Sequence, residues 1–127
     1  MAGELTGKKV LLVDDDQDIL TAMTAALKDM GPDILTAGDG NDALRQAEEA
    51  QPDLVVLDMM LPKRSGFLVL EKLRRGKERS APPRIVMITG NQGRRHKTYA
   101  ESLGVDVYLN KPFRMERLLE SIEKLLN

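Results

Sequence analysis

A chain of 127 residues, 42% hydrophobic and 31% charged, has the size and mix of one globular domain. Its 19 basic and 20 acidic side chains leave a net charge of −1, without the footprint of a nucleic-acid or membrane-surface binder. Cysteine is absent, which excludes disulfides and thiolate metal sites. Residues 1–7 do not read as a signal peptide and no apolar run reaches transmembrane length, so a cytoplasmic location is expected.

Val10-Leu11-Leu12-Val13 is a continuous apolar run, the mark of a strand buried on both faces. A helix should follow, with Ile19, Met23, Ala26, Leu27 and Met30 on one stripe, stopped by Gly31-Pro32. Ile34 to Ala37 reads as a weaker second strand. Gly38-Asp39-Gly40 is a turn, and Asn41 is the expected cap of a helix with Ala43, Leu44, Ala47 and Ala50 on its apolar face. Leu54-Val55-Val56-Leu57 is the clearest interior strand. Beyond Leu61-Pro62 and Gly66 comes a helix with Phe67, Leu70 and Leu73. Ala81-Pro82-Pro83 leads into a fourth strand, Ile85 to Ile88. A polar helix with Tyr99, Ala100 and Leu103 ends at Gly104, and Val105 to Leu109 is the fifth strand. The last helix spaces Leu118, Leu119, Ile122, Leu125 and Leu126 helically.

This alternation predicts a three-layer (βα)5 α/β fold, a doubly wound parallel sheet of strand order 2-1-3-4-5 with helices on both faces. Sites in such sheets form beyond the carboxyl ends of the strands, where the winding reverses. There Asp14 and Asp15 follow the first strand and Asp58 ends the third, so three carboxylates should meet. Crowded like charges raise one another's pKa unless a cation is present. A hard divalent ion with oxygen ligands, Mg²⁺ above all, suits them. Lys111, just past the fifth strand, adds a further positive charge.

These acids admit other readings. Asp16 and Asp18 suit a helix cap as well as a site. An EF-hand loop starting at Asp14 fails, because its sixth position is Ile19 and its twelfth Ala25. A phosphatase of the haloacid-dehalogenase type would make Asp14 the nucleophile and Asp16 the general acid. It leaves Asp58, Thr89 and Lys111-Pro112 without a joint explanation.

Those residues together carry a resemblance. Asp14-Asp15-Asp16 after strand one, Leu57-Asp58-Met59-Met60-Leu61-Pro62 after strand three with Gly66 beyond, Ile88-Thr89-Gly90 after strand four, and Tyr108-Leu109-Asn110-Lys111-Pro112-Phe113 after strand five stand in order at strand ends. From about Lys8 to Leu126 the sequence resembles the response-regulator receiver domains of two-component systems, whose fold is flavodoxin-like. The resemblance implies a receiver over 8–127 preceded by an N-terminal extension over 1–7.

It further implies that Asp58 is the phosphoacceptor in a phosphorelay signalling switch rather than an enzyme. Mg²⁺, or Mn²⁺ in its place, would be held by Asp15, Asp58 and the Met60 carbonyl, with Asp14 acting through a metal-bound water. Lys111 would contact a phosphoryl oxygen, Thr89 would close onto the phosphoryl group, and the Tyr108 ring would follow, turning from exposed to buried. The Lys111–Pro112 peptide would be cis. Gly90 stands where alanine is more usual, a small-for-small change. The donor would be a phosphohistidine on a sensor histidine kinase or phosphotransfer protein. A downstream protein would be met by the surface of the fourth helix, fifth strand and fifth helix. Glu120 and Ser121 occupy a stretch where dimerising DNA-binding relatives often carry arginine, so a monomer or weak dimer without direct nucleic-acid binding is expected. A receiver-like module that works without phosphorylation would lack an acid, the threonine or the lysine; all are kept. His96, in the basic run 94–97, is expected to be solvated.

Overall fold

The structure is a computed structural model and describes residues 4–77, 81–90 and 94–127, without the side chain of Arg94. Five strands alternate with helices: β1 Lys9–Val13, α1 Gln17–Lys28, β2 Asp33–Ala37, α2 Gly40–Ala50, β3 Leu54–Asp58, α3 Gly66–Arg74, β4 Arg84–Thr89, α4 Arg94–Ser102, β5 Val107–Asn110 and α5 Met115–Leu126. The sheet is parallel throughout, in the expected order β2-β1-β3-β4-β5.

The continuous apolar runs are explained by the pleat, which sends successive side chains to opposite faces. On one face Leu11, Val13, Val55, Leu57, Ile85 and Met87 pack with Ala43 and Ala47 of α2, Val69, Leu70 and Leu73 of α3, and Ala100 of α4. On the other, Val10, Leu12, Leu54, Val56, Val86 and Ile88 meet Leu20, Met23 and Leu27 of α1 and Leu118 and Ile122 of α5. Leu5 is fully buried in this second core, and its N–H donates to the Met30 carbonyl at 2.8 Å. So part of the 1–7 segment belongs to the packed body; its residues 1–3 lie outside the described residues.

Several local expectations are corrected. The α1 core stripe includes Leu20, which is buried, whereas Ile19 is only half-buried. The cap of α2 is Asp39, not Asn41: its side chain accepts from the Asp42 N–H at 2.8 Å. Asp16 takes the same role for α1, accepting from Asp18 and Ile19. The fifth strand starts at Val107 rather than Val105, because Val105 turns back to donate its N–H to the Ala100 carbonyl.

Among the described residues two peptides are cis, Pro82–Pro83 and the anticipated Lys111–Pro112. Among the described residues no helix is long and apolar enough to cross a membrane.

Candidate functional site

β1 and β3 are direct neighbours with Val13 beside Leu57, so the residues that follow, Asp14 and Asp58, leave the sheet side by side. One carboxylate oxygen from each of Asp14, Asp15 and Asp58 falls within 4.8 Å of the others. Asp14 and Asp58 are buried, while Asp15 is exposed. Both buried acids are oriented by the backbone that follows them. Asp14 Oδ1 accepts from the Asp16 N–H at 2.9 Å, and Asp58 Oδ1 accepts from the Met60 N–H at 3.1 Å.

Lys111 arrives from the far side of β4. Its N–H donates to the Thr89 carbonyl at 2.7 Å, which pins the residue just past the end of β5. Its ammonium reaches Asp14 Oδ2 at 3.1 Å and Asp58 Oδ2 at 3.4 Å. Burial alone would lower the lysine pKa, but the hydrogen bond to Asp14 and the charge of Asp58 outweigh it and hold the group above its ordinary value. Asp58 is pushed up to about 6, first by burial and then by the neighbouring Asp14 charge, against the Met60 N–H and Lys111, which pull it down. One lysine therefore does not neutralise the cluster. An all-oxygen donor set with this uncompensated negative charge fits a hard divalent cation.

The remaining site residues line the same edge. Thr89 ends β4 and is fully buried. Tyr108 lies in β5, half-buried against the first core cluster, with its hydroxyl buried and without a partner of hydrogen-bonding geometry. Thr89 is its polar neighbour: burial raises the phenol pKa and Thr89 draws it part of the way back. This corrects the expectation of an exposed Tyr108 ring. Its packing against the first core cluster leaves the ring half-buried. Met60 exposes its side chain, 65% accessible. At Gly90 an added Cβ would meet nothing within 4 Å among the described residues. Pro112 follows the cis peptide and is exposed.

A model of the family described as "Response regulator receiver domain" matches residues 10–123. The chain belongs to that family. Among curated proteins the receiver is similar to the alkaline phosphatase synthesis transcriptional regulatory protein PhoP of Bacillus subtilis, at 39% identity over 119 residues, covering 94% of this chain and 48% of that protein. It is also similar to the DNA-binding dual master transcriptional regulator RpaA of Synechocystis, at 38% identity over 118 residues, covering 93% of this chain and 48% of that protein. The chain thus spans about half the length of these curated relatives. Among solved structures, the chemotaxis response regulator CheY4 of Vibrio cholerae superposes with a TM-score of 0.84 at 31% identity, over 94% of this chain and 99% of that one. A CheY-like receiver domain protein of Methanospirillum hungatei gives a TM-score of 0.82 at 30% identity, over 94% and 93%.

Three features escaped the sequence reading. Asp106, just before β5, accepts from the Ile85 N–H at 2.8 Å and pairs with Arg84 at 3.1 Å and with buried Arg74 at 4.0 Å. It fastens α3, β4 and β5 at the end of the receiver away from the acids, and no local motif marks it. Gly40 and Gly66 both abut the loop after Asp58 so closely that a Cβ would collide with backbone. Finally, His96 is half-buried rather than solvated: its ring stacks on Phe67 of α3 at 5.9 Å, with Tyr99 set edge-on to the same Phe67 at 5.1 Å.

Proposed function

We propose that the receiver is a phosphorylation switch in which Asp58 accepts a phosphoryl group from a phosphohistidine on a sensor histidine kinase or phosphotransfer protein. The observation that carries this reading is the Lys111 ammonium standing 3.4 Å from Oδ2 of a buried carboxylate flanked by two more acids. Phosphoryl transfer asks a protein mainly for positioning and charge neutralisation. Asp58 supplies the attacking oxygen, a bond forms from that oxygen to phosphorus, and the bond from phosphorus to the donor nitrogen breaks. The product is an acyl phosphate.

The Met60 N–H holds Asp58 Oδ1, which leaves Oδ2 facing Lys111. A carboxyl pushed up to about 6 needs nearby positive charge to remain an ionised nucleophile, and Lys111 supplies part of it. Asp15, Asp58 and the Met60 carbonyl would hold Mg²⁺, with Asp14 acting through water. When bound, Mg²⁺ neutralises carboxylate and phosphoryl oxygens. Thr89 offers its hydroxyl to the phosphoryl group, and Tyr108 follows the resulting shift. The surface of α4, β5 and α5 then changes for a downstream partner.

The phosphatase alternative is disfavoured by the occupation of its acids. Asp16 is engaged as the cap of α1, and Asp14 is tied to the Asp16 N–H and to Lys111. The deciding experiment is incubation with acetyl phosphate and Mg²⁺ followed by mass spectrometry. One added phosphoryl group on Asp58 is expected. Continuous turnover that depends on Asp14, with Asp58 unlabelled, would replace this reading by the phosphatase one.

A further inference from the structure

The loop from Met59 to Ser65 carries Met60, and its two ends are fixed by different means. At the strand end, Met59 N–H donates to the Ile88 carbonyl at 2.9 Å and Met60 N–H to Asp58. At the helix end, Gly66 N–H donates to the Met59 carbonyl at 2.8 Å, and a Cβ on Gly66 would stand 2.3 Å from the Asp58 carbonyl oxygen. Between them the chain makes a tight turn. The Arg64 N–H donates to the Pro62 carbonyl at 2.7 Å, with Lys63 at the centre at φ 68°. A three-residue turn with positive φ at its centre is the rare, strained form, and a non-glycine residue there needs outside support.

The support comes from the start of α2. The Gly40 N–H donates to the same Pro62 carbonyl at 3.3 Å, Asn41 Oδ1 accepts from Arg64 Nε at 3.0 Å, and the Asp39 carboxylate lies 3.6 Å from the Lys63 ammonium. Gly40 is where the two backbones touch. A Cβ there would stand 2.1 Å from the Arg64 carbonyl oxygen and 2.6 Å from the Arg64 Cβ. Gly40 is not in the positive-φ region, and alanine is the better helix former. The demand for glycine at this position therefore comes from the docked turn and not from the helix.

We propose that Gly40, with Asn41, is a positioning residue for the metal-binding loop: the start of α2 holds the 61–65 turn and so sets where the Met60 carbonyl stands relative to Asp58. This rests on the Mg²⁺ reading above. Gly40 touches neither metal nor phosphoryl group; it acts through the turn. Supports of this kind alter metal affinity by roughly 10–100-fold when removed.

The test is Mg²⁺ binding itself, measured by calorimetry and amide NMR shifts on the full chain without any phosphodonor. Wild type, Gly40→Ala, Asn41→Ala and, as a control in the opposite layer, Ile122→Val are compared. Weaker Mg²⁺ binding by roughly 10–100-fold is expected in Gly40→Ala, and a several-fold weakening in Asn41→Ala. Ile122→Val should melt earlier yet bind Mg²⁺ like wild type. Where Gly40→Ala does not fold, Asn41→Ala against Ile122→Val decides. Wild-type affinity in the folded loop variants overturns the inference alone, as does an equal loss in Ile122→Val. No Mg²⁺ binding by wild type overturns the metal reading and this inference with it.

Discussion

Lys111 Nζ stands 3.1 Å from Asp14 Oδ2, a contact spanning 97 residues of chain that is shorter than the lysine's contact with the proposed phosphoacceptor. The lysine is thus shared. It donates to Asp14, which is 1% exposed, while remaining within reach of Asp58. Removing it would leave two buried carboxylates facing each other. Lys111→Met is expected to slow labelling of Asp58 by acetyl phosphate roughly 10²–10³-fold, the usual cost of losing one charge-stabilising donor. It should also lower the melting temperature of the metal-free protein. Rapid-quench labelling and thermal denaturation in chelator check the two effects.

Asp58→Asn keeps the side-chain size and the fold but has no carboxylate to accept the group. No acid-stable, hydroxylamine-labile phosphate should form on this variant. Full labelling by mass spectrometry would remove Asp58 from its assigned role.

The same variant reports on pH. The folded-state pKa of Asp58 is raised from 3.8 to about 6, so folding favours its protonated form. The ionised group destabilises the metal-free fold fully above pH 6, and the penalty fades as pH falls through 6 toward 3.8. In chelator, Asp58→Asn should melt several degrees above wild type at pH 7.5, and the gap should close on acidification to pH about 4.5. At pH 7.5, saturating Mg²⁺ should raise the wild-type melting temperature by linkage and narrow the gap. A gap that stays constant across this range would contradict the assignment of the strain to Asp58.

Thr89 and Tyr108 form the proposed route out of the site. Tyr108 is already half-buried with its hydroxyl buried beside Thr89, so phosphorylation should change what that hydroxyl meets more than how far the ring is exposed. Thr89→Ala should still accept phosphate, yet its Tyr108 ring resonances should respond weakly to beryllofluoride. A full wild-type response in the NMR spectrum of Thr89→Ala would break this route.

Asp106 is a stability prediction. Asp106→Ala leaves Arg74 buried without its carboxylate and the Ile85 N–H without its acceptor. A loss of roughly 3 kcal/mol is expected in urea unfolding, with a smaller loss in Asp106→Asn, which keeps an acceptor oxygen. Neither variant should change Mg²⁺ affinity.

The amino-acid order by itself determined the layers, the sheet and the place of the candidate site. Runs such as Val10 to Val13 and Leu54 to Leu57 are apolar at every position only if both faces of the strand are covered, and the alternation with helices then leaves a parallel sheet as the economical solution. Asp14, Asp58, Thr89 and Lys111 each follow or end a strand, so strand order alone brings them to one edge. What only the tertiary structure decided are relations between backbones and side chains far apart in the chain. Asp39 rather than Asn41 caps α2, because capping depends on which side chain turns back to a free N–H, and either type can do so. Tyr108 lies inward and His96 stacks on Phe67 because neighbouring elements cover them, a matter that local polarity does not encode. Gly40 read as a turn glycine. Its contact with Arg64, 24 residues on, arises from the packing of α2 against the β3–α3 loop, and a steric requirement between two backbones leaves no periodicity to read.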